Sequence, residues 1–92
     1  MVIIGVDPGL NRTGYGVIDA AATQLRFIAA GDIRPSRTAS LPARLAVIHD
    51  ELSRLIARFH PASAVLEQIF THRAHVNTAT LMGHARGAAC LA

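Results

Sequence analysis

Two short apolar runs in this chain each end on an acid. Val2-Ile3-Ile4-Gly5-Val6 leads into Asp7, and Ala64-Val65-Leu66 leads into Glu67. Both runs have the length and content of buried strands. Between them lies an apolar stripe, Leu41, Leu45, Ile48, Leu52, Leu55 and Phe59, whose alternating steps of four and three predict an amphipathic helix. A strand that follows a helical crossover returns parallel to an earlier strand. The pattern therefore brings both acids to the carboxyl ends of neighbouring strands, the edge where open α/β sheets hold ligands. A carboxylate there is not needed for packing, and two close together repel unless a divalent cation sits between them. Asp7 and Glu67 are thus candidate metal ligands and catalytic acids. Turn capping plus solvation is the plainer account of the same residues.

The remaining elements follow from local signals. Residues 2–7 read as a strand that Pro8-Gly9 ends. Gly14 to Asp19 alternates and reads as a second strand, hairpin-linked to the first. Gln24 to Ile33 reads as a third, with Leu25, Phe27 and Ala29 alternating against polar or small partners. Residues 34–39 form a loop. Ser40 is placed to cap the helix, Pro42 is tolerated in its first turn, and His60-Pro61 ends it. Residues 63–67 give the fourth strand and 68–75 a loop. A second helix begins at Val76, with a small-residue face of Ala79, Gly83, Gly87 and Ala88; its glycines, one turn apart, would let another backbone come close.

Composition narrows the class. Ninety-two residues, 51% of them apolar, make at most one small globular domain. No apolar run approaches the ~18 residues of a membrane span, and the strand-like start carries no basic leader region. A single cysteine, Cys90, excludes an internal disulfide and suits a reducing cytoplasm; in an apolar helix it reads as inert filling. The net charge is +3, and every basic side chain is arginine. Arginine's planar fork suits phosphate oxygens, although a bias in codon use explains the excess as well. The charge weakly favours a nucleic-acid partner. His72 and His75 have a three-residue spacing but no cysteine or carboxylate nearby to complete a zinc set, so they read as loop or surface histidines. His49 and His60 read as polar-side or end positions of the first helix. Asp19, Asp32, Asp50 and Glu51 read as turn or helix-surface charges.

The order β-β-β-α-β-α, with acids ending strands one and four, resembles the start of the ribonuclease H-like fold. Two stretches are more specific. Ile4-Gly5-Val6-Asp7-Pro8-Gly9-Leu10, running on to Thr13-Gly14-Tyr15-Gly16-Val17-Ile18, is similar to the opening of the RuvC family of bacterial Holliday-junction resolvases. Leu66-Glu67-Gln68-Ile69-Phe70, then Val76-Asn77-Thr78 and Gly83-His84-Ala85-Arg86-Gly87, resembles the middle of the same family, and Leu41-Pro42-Ala43-Arg44-Leu45 fits its first long helix. The resemblance covers essentially the whole chain. It departs in two places: the stretch between Phe70 and Val76 is about one residue longer, around Ala74-His75, and His84 stands where the family usually has glutamine.

The resemblance implies an α/β, ribonuclease H-like fold with a mixed sheet in order 3-2-1-4. Residues 1–92 would form one incomplete nuclease domain, ending before the last strand and the carboxy-terminal helices. It implies a homodimeric, magnesium-dependent endonuclease of the cytoplasm that cuts four-way junction DNA in recombination and repair and works with a branch-migration motor complex. Asp7 and Glu67 match the family's first two catalytic acids, on a site that takes two Mg2+ ions. Phe70 matches the aromatic that engages the junction centre, where stacking is worth ~1–3 kcal/mol per base. Arg73 stands near a basic position that contacts phosphate. Without the resemblance, Phe70 reads as a core side chain and Arg73 as a solvated loop charge. The family's other acids lie in a later helix, so this chain carries only part of the site and is expected to be inactive by itself; an open sheet edge and unmatched helix faces predict that it is poorly soluble or depends on a partner. Competing readings are an actin-like ATPase or kinase lobe, with nucleotide phosphates at Asp7-Pro8-Gly9, a related RNA-processing nuclease, and a non-catalytic remnant that only binds DNA or a protomer.

Overall fold

The first three strands form an antiparallel meander: β1 (Val2–Asp7), β2 (Thr13–Ala20) and β3 (Leu25–Ile33). Helix α1 (Leu41–Phe59) then crosses over, β4 (Ser63–Leu66) returns parallel to β1, and α2 (Val76–Leu91) follows. In this computed structural model the backbone is described for residues 1–67 and 76–92, and the side chains for 1–67 and 83–92. The sheet order is β3-β2-β1-β4, as the sequence predicts.

Helix α1 has both of its end signals. The Ser40 hydroxyl accepts a hydrogen bond from the Ala43 N–H at 3.3 Å, and Pro42 sits in the first turn, where its missing N–H is no loss. At the other end His60 takes the left-handed conformation (φ 47°), and its N–H donates to the Ile56 carbonyl before Pro61 prevents continuation.

The pleat sends alternate residues to opposite faces. One face carries Ile4 and Val6 of β1, Val17 of β2 and Ile33 of β3, and α1 packs Ile48 and Leu52 onto it, with Ala85 of α2 completing the buried cluster. The other face carries Ile3, Gly5 and Asp7 of β1 and their partners. Among the described residues no element covers it, and Val65, Phe27 and Leu25 are 59%, 70% and 74% exposed there. Asp7 and its neighbours are therefore on the side away from both helices.

Four expectations are corrected in detail. Leu25, Phe27 and Ala29 do not share one face. Register shifts between Val17 and Ile18, which pair with Ala29 and Phe27, so Ile28 is an extra residue in a bulge and Ala29 turns to the core side. Cys90 is exposed rather than inert filling, because α2 is apolar beyond the face that meets α1. Gly83 and Gly87 border a groove between α1 and α2 of about 540 Å³, and a Cβ built on either meets nothing within 4 Å. The described backbone thus makes no close approach at these glycines. Asp19 and Asp32 lie on β2 and β3, not in turns. No helix among the described residues is long and apolar enough to cross a membrane.

The two faces make opposite demands on mutation. Ile48→Ala empties a fully buried site and should lower stability by about 2–5 kcal/mol in denaturant unfolding. Phe27→Lys should change stability by no more than ~0.5 kcal/mol while reducing self-association in sedimentation. A large loss of stability in the Phe27 variant would mean that this face is covered.

Candidate active site

Asp7 is the last residue of β1, and Glu67 is the first residue beyond β4. The parallel register pairs Val6 with Leu66, and the Glu67 N–H continues it by donating to the Val6 carbonyl at 3.1 Å. The two carboxyl groups consequently come together, both exposed, at one rim of the sheet. Asp7 raises the pKa of Glu67 above the usual glutamate range. The first cause is a hydrogen bond with Asp7, favouring the protonated form. The second is the Asp7 charge, which opposes ionisation, and a loss of hydration adds to both. The expectation that these acids meet is met by the structure.

The turn after Asp7 is fixed from several sides. Thr13 is fully buried; its hydroxyl donates to the Gly9 carbonyl at 2.9 Å and accepts from the Gly9 N–H at 3.2 Å. Gly9 is required here because a Cβ would stand 2.5 Å from the Arg12 carbonyl oxygen. Pro8 and Leu10 are buried beneath the turn. From α1, Arg44 reaches across, its Nη2 donating to the Leu10 carbonyl at 3.0 Å and also to Asn11 Oδ1. The helix thus holds the loop that presents Asp7. Neither Thr13 nor Arg44 was singled out as a support from the sequence. Arg44 had a signal, since it lies with Leu41, Leu45 and Ile48 at helical spacing, on the stripe rather than opposite it.

Beyond Asp7 the row continues across the sheet. Asp7 pairs with Gly14, and Gly14 pairs with Asp32 of β3. Asp32 is joined by Arg34 (3.2 Å) and Arg12 (3.8 Å). Elsewhere, His49 pairs with Asp50 on α1 and His84 borders the groove between the helices, so the structure takes both away from the acid pair. Phe70, Arg73, His72 and His75 lie outside the described residues. Among the described residues no group of three or more His, Cys, Asp or Glu side chains gathers as a metal site; Asp7 and Glu67 supply two carboxylates.

Comparison with known proteins agrees with this fold. Residues 3–92 match the family model of the crossover junction endodeoxyribonuclease RuvC. The RuvC proteins of Granulibacter bethesdensis and Rhodopirellula baltica are each 48% identical to this chain, with 98% of it covered. The matches span 50% and 51% of those relatives, so the chain has about half the length of the curated relatives it matches. A structure of T. thermophilus RuvC in complex with Holliday junction substrate superposes with a TM-score of 0.84 at 28% identity, over 99% of this chain and 56% of that one. An Aquifex aeolicus PPX-GPPA enzyme, at 13% identity and TM-score 0.55 over 99% of this chain and 30% of that one, shares the fold alone.

A mixed sheet in this order, with paired acids at its rim, defines the ribonuclease H-like class of α/β proteins. Within that class the chain belongs to the RuvC family of crossover junction endodeoxyribonucleases.

Replacing Asp7 tests the contact directly. In Asp7→Asn the charge that opposes ionisation of Glu67 is gone, so the Glu67 pKa should fall toward the ordinary glutamate value in a carboxyl-carbon NMR titration. An unmoved Glu67 would show that the two groups are not in contact.

Proposed function

We propose that this chain is the amino-terminal, acid-bearing part of a structure-selective endodeoxyribonuclease that resolves four-way DNA junctions in recombination and repair. The observation that carries the reading is the meeting of Asp7 and Glu67 on the open rim of the sheet, in a chain of the RuvC family. An exposed rim admits a duplex, which a buried pair would not.

Magnesium fits this donor set. Two adjacent carboxylates, one of which makes the other costlier to ionise, form a hard-oxygen site whose repulsion a small divalent cation relieves. Asp7 and Glu67 would hold it; when bound, it supplies the positive charge that phosphodiester hydrolysis needs at the phosphate. The chain's own part is positional. The Thr13–Gly9 bonds and the Arg44 clamp keep Asp7 in place, and the β1–β4 register keeps Glu67 beside it. The remaining acids of a full site come from the half of the family protein beyond these residues, so residues 1–92 form one incomplete nuclease domain without activity of its own. Phe70 stacks on a base at the junction centre and Arg73 contacts a phosphate. The working protein is a cytoplasmic homodimer, which suits two symmetric cuts, and it receives its junction from a branch-migration motor.

In the family-length protein, Asp7→Asn should leave junction binding intact and lower magnesium-dependent cleavage by roughly 100-fold or more, read on a labelled four-way junction. Unchanged cleavage would remove Asp7 from the chemistry.

A further inference from the structure

We infer that Arg12 and Arg34, gathered on Asp32, form a second seat on the same row: a site for the DNA backbone phosphate neighbouring the one held at the acid pair. The inference rests on the nuclease reading above and adds to it a substrate contact on β3 and the β1–β2 turn.

Register makes the placement. Asp7, Gly14 and Asp32 are successive cross-strand partners, and directly paired residues project from the same face. Two strand spacings put Asp32 about 10 Å from Asp7. Gly14 puts no side chain between them, and the two acids close in over it: a Cβ there would lie 3.7 Å from Asp32 Oδ1 and 4.0 Å from the Asp7 Cβ. An extended strand of nucleic acid laid across this row meets the acid pair first and the arginines next.

The chemistry of the cluster suits phosphate. Each Asp32 oxygen takes one arginine: Oδ1 faces Arg12 Nε at 3.8 Å, and Oδ2 accepts from Arg34 Nη2 at 3.2 Å. The arginine side chains are 57% and 66% exposed, so most of their N–H groups point to solvent. Exposed ion pairs like these contribute little to stability, and packing does not explain the cluster. With one carboxylate and two guanidinium groups it carries a net positive charge beside an acid pair that repels DNA. At this separation, close to the Debye length of ~8 Å in physiological salt, that charge offsets the repulsion. Glu51 borders the same cleft as Asp32 and Arg34, but its carboxylate is held by Arg54 at 3.0 Å. Arg26, paired with Asp19 at the opposite end of the sheet, provides a matched control away from the row.

The test is the binding of a fluorescent four-way junction to the family-length protein by anisotropy, across a series of salt concentrations with magnesium present. The R12A/R34A double variant should weaken binding and make the dependence of log affinity on log salt shallower by about two. R12K/R34K should stay near wild type, and R26A should be unchanged. Thermal melts confirm that each variant folds. An unchanged slope in R12A/R34A, or an equal loss in R26A, overturns the seat while leaving the nuclease reading in place. A folded wild-type family-length protein that does not bind the junction contradicts the junction assignment and, with it, the seat.

Discussion

The parallel pairing of β4 with β1 is the constraint on which the rest depends. It uses only a short ladder, Ile3 with Ser63 through Val6 with Leu66, closed by the Glu67 N–H on the Val6 carbonyl. A slip of one residue would turn Glu67 to the helix side of the sheet and leave Asp7 alone on the open face. Ile4, Val6 and Leu66 resist such a slip, because their side chains belong to the core under α1 and α2. The hydrophobic face therefore sets the position of the polar one. Packing on one side of the sheet fixes the chemistry on the other.

The carboxyl rim is also where the fold concentrates its unfavourable electrostatics. Asp7 and Glu67 stand in contact there, whereas Asp32, two strands away on the same face, is offset by Arg12 and Arg34. Nothing in the core requires the Asp7–Glu67 pair. Their cost is tolerated because the turn carrying Asp7 is over-determined by the Thr13 hydroxyl, by Gly9 and by Arg44. Arrangements of this kind, stabilised elsewhere and strained at the site, mark function more often than architecture.

Much of this was legible in the residues. The two strand-ending acids, the α1 stripe and the Ser40 and His60 signals led to the sheet order and to the meeting of Asp7 with Glu67. The bulge at Ile28 was not legible, since period-two alternation carries no mark of one unpaired residue. Nor was the Arg12–Asp32–Arg34 cluster, because it depends on which residue of β3 stands opposite Gly14, a long-range register that local pattern does not encode. Cys90 and the α2 glycines misled for a related reason. An apolar helix predicts packing, but not which of its faces meets a neighbour.

The deciding question is where a divalent cation binds. Paramagnetic manganese, titrated into isotopically labelled chain in place of magnesium, broadens NMR signals by proximity. The backbone resonances of Asp7 and Glu67 should disappear first and together, followed by those of Gly14, with the carboxyl-terminal half of α1 affected last. Broadening that begins at His49 or His84 on the helices and spares the β1–β4 rim would contradict a cation site built by these two strands.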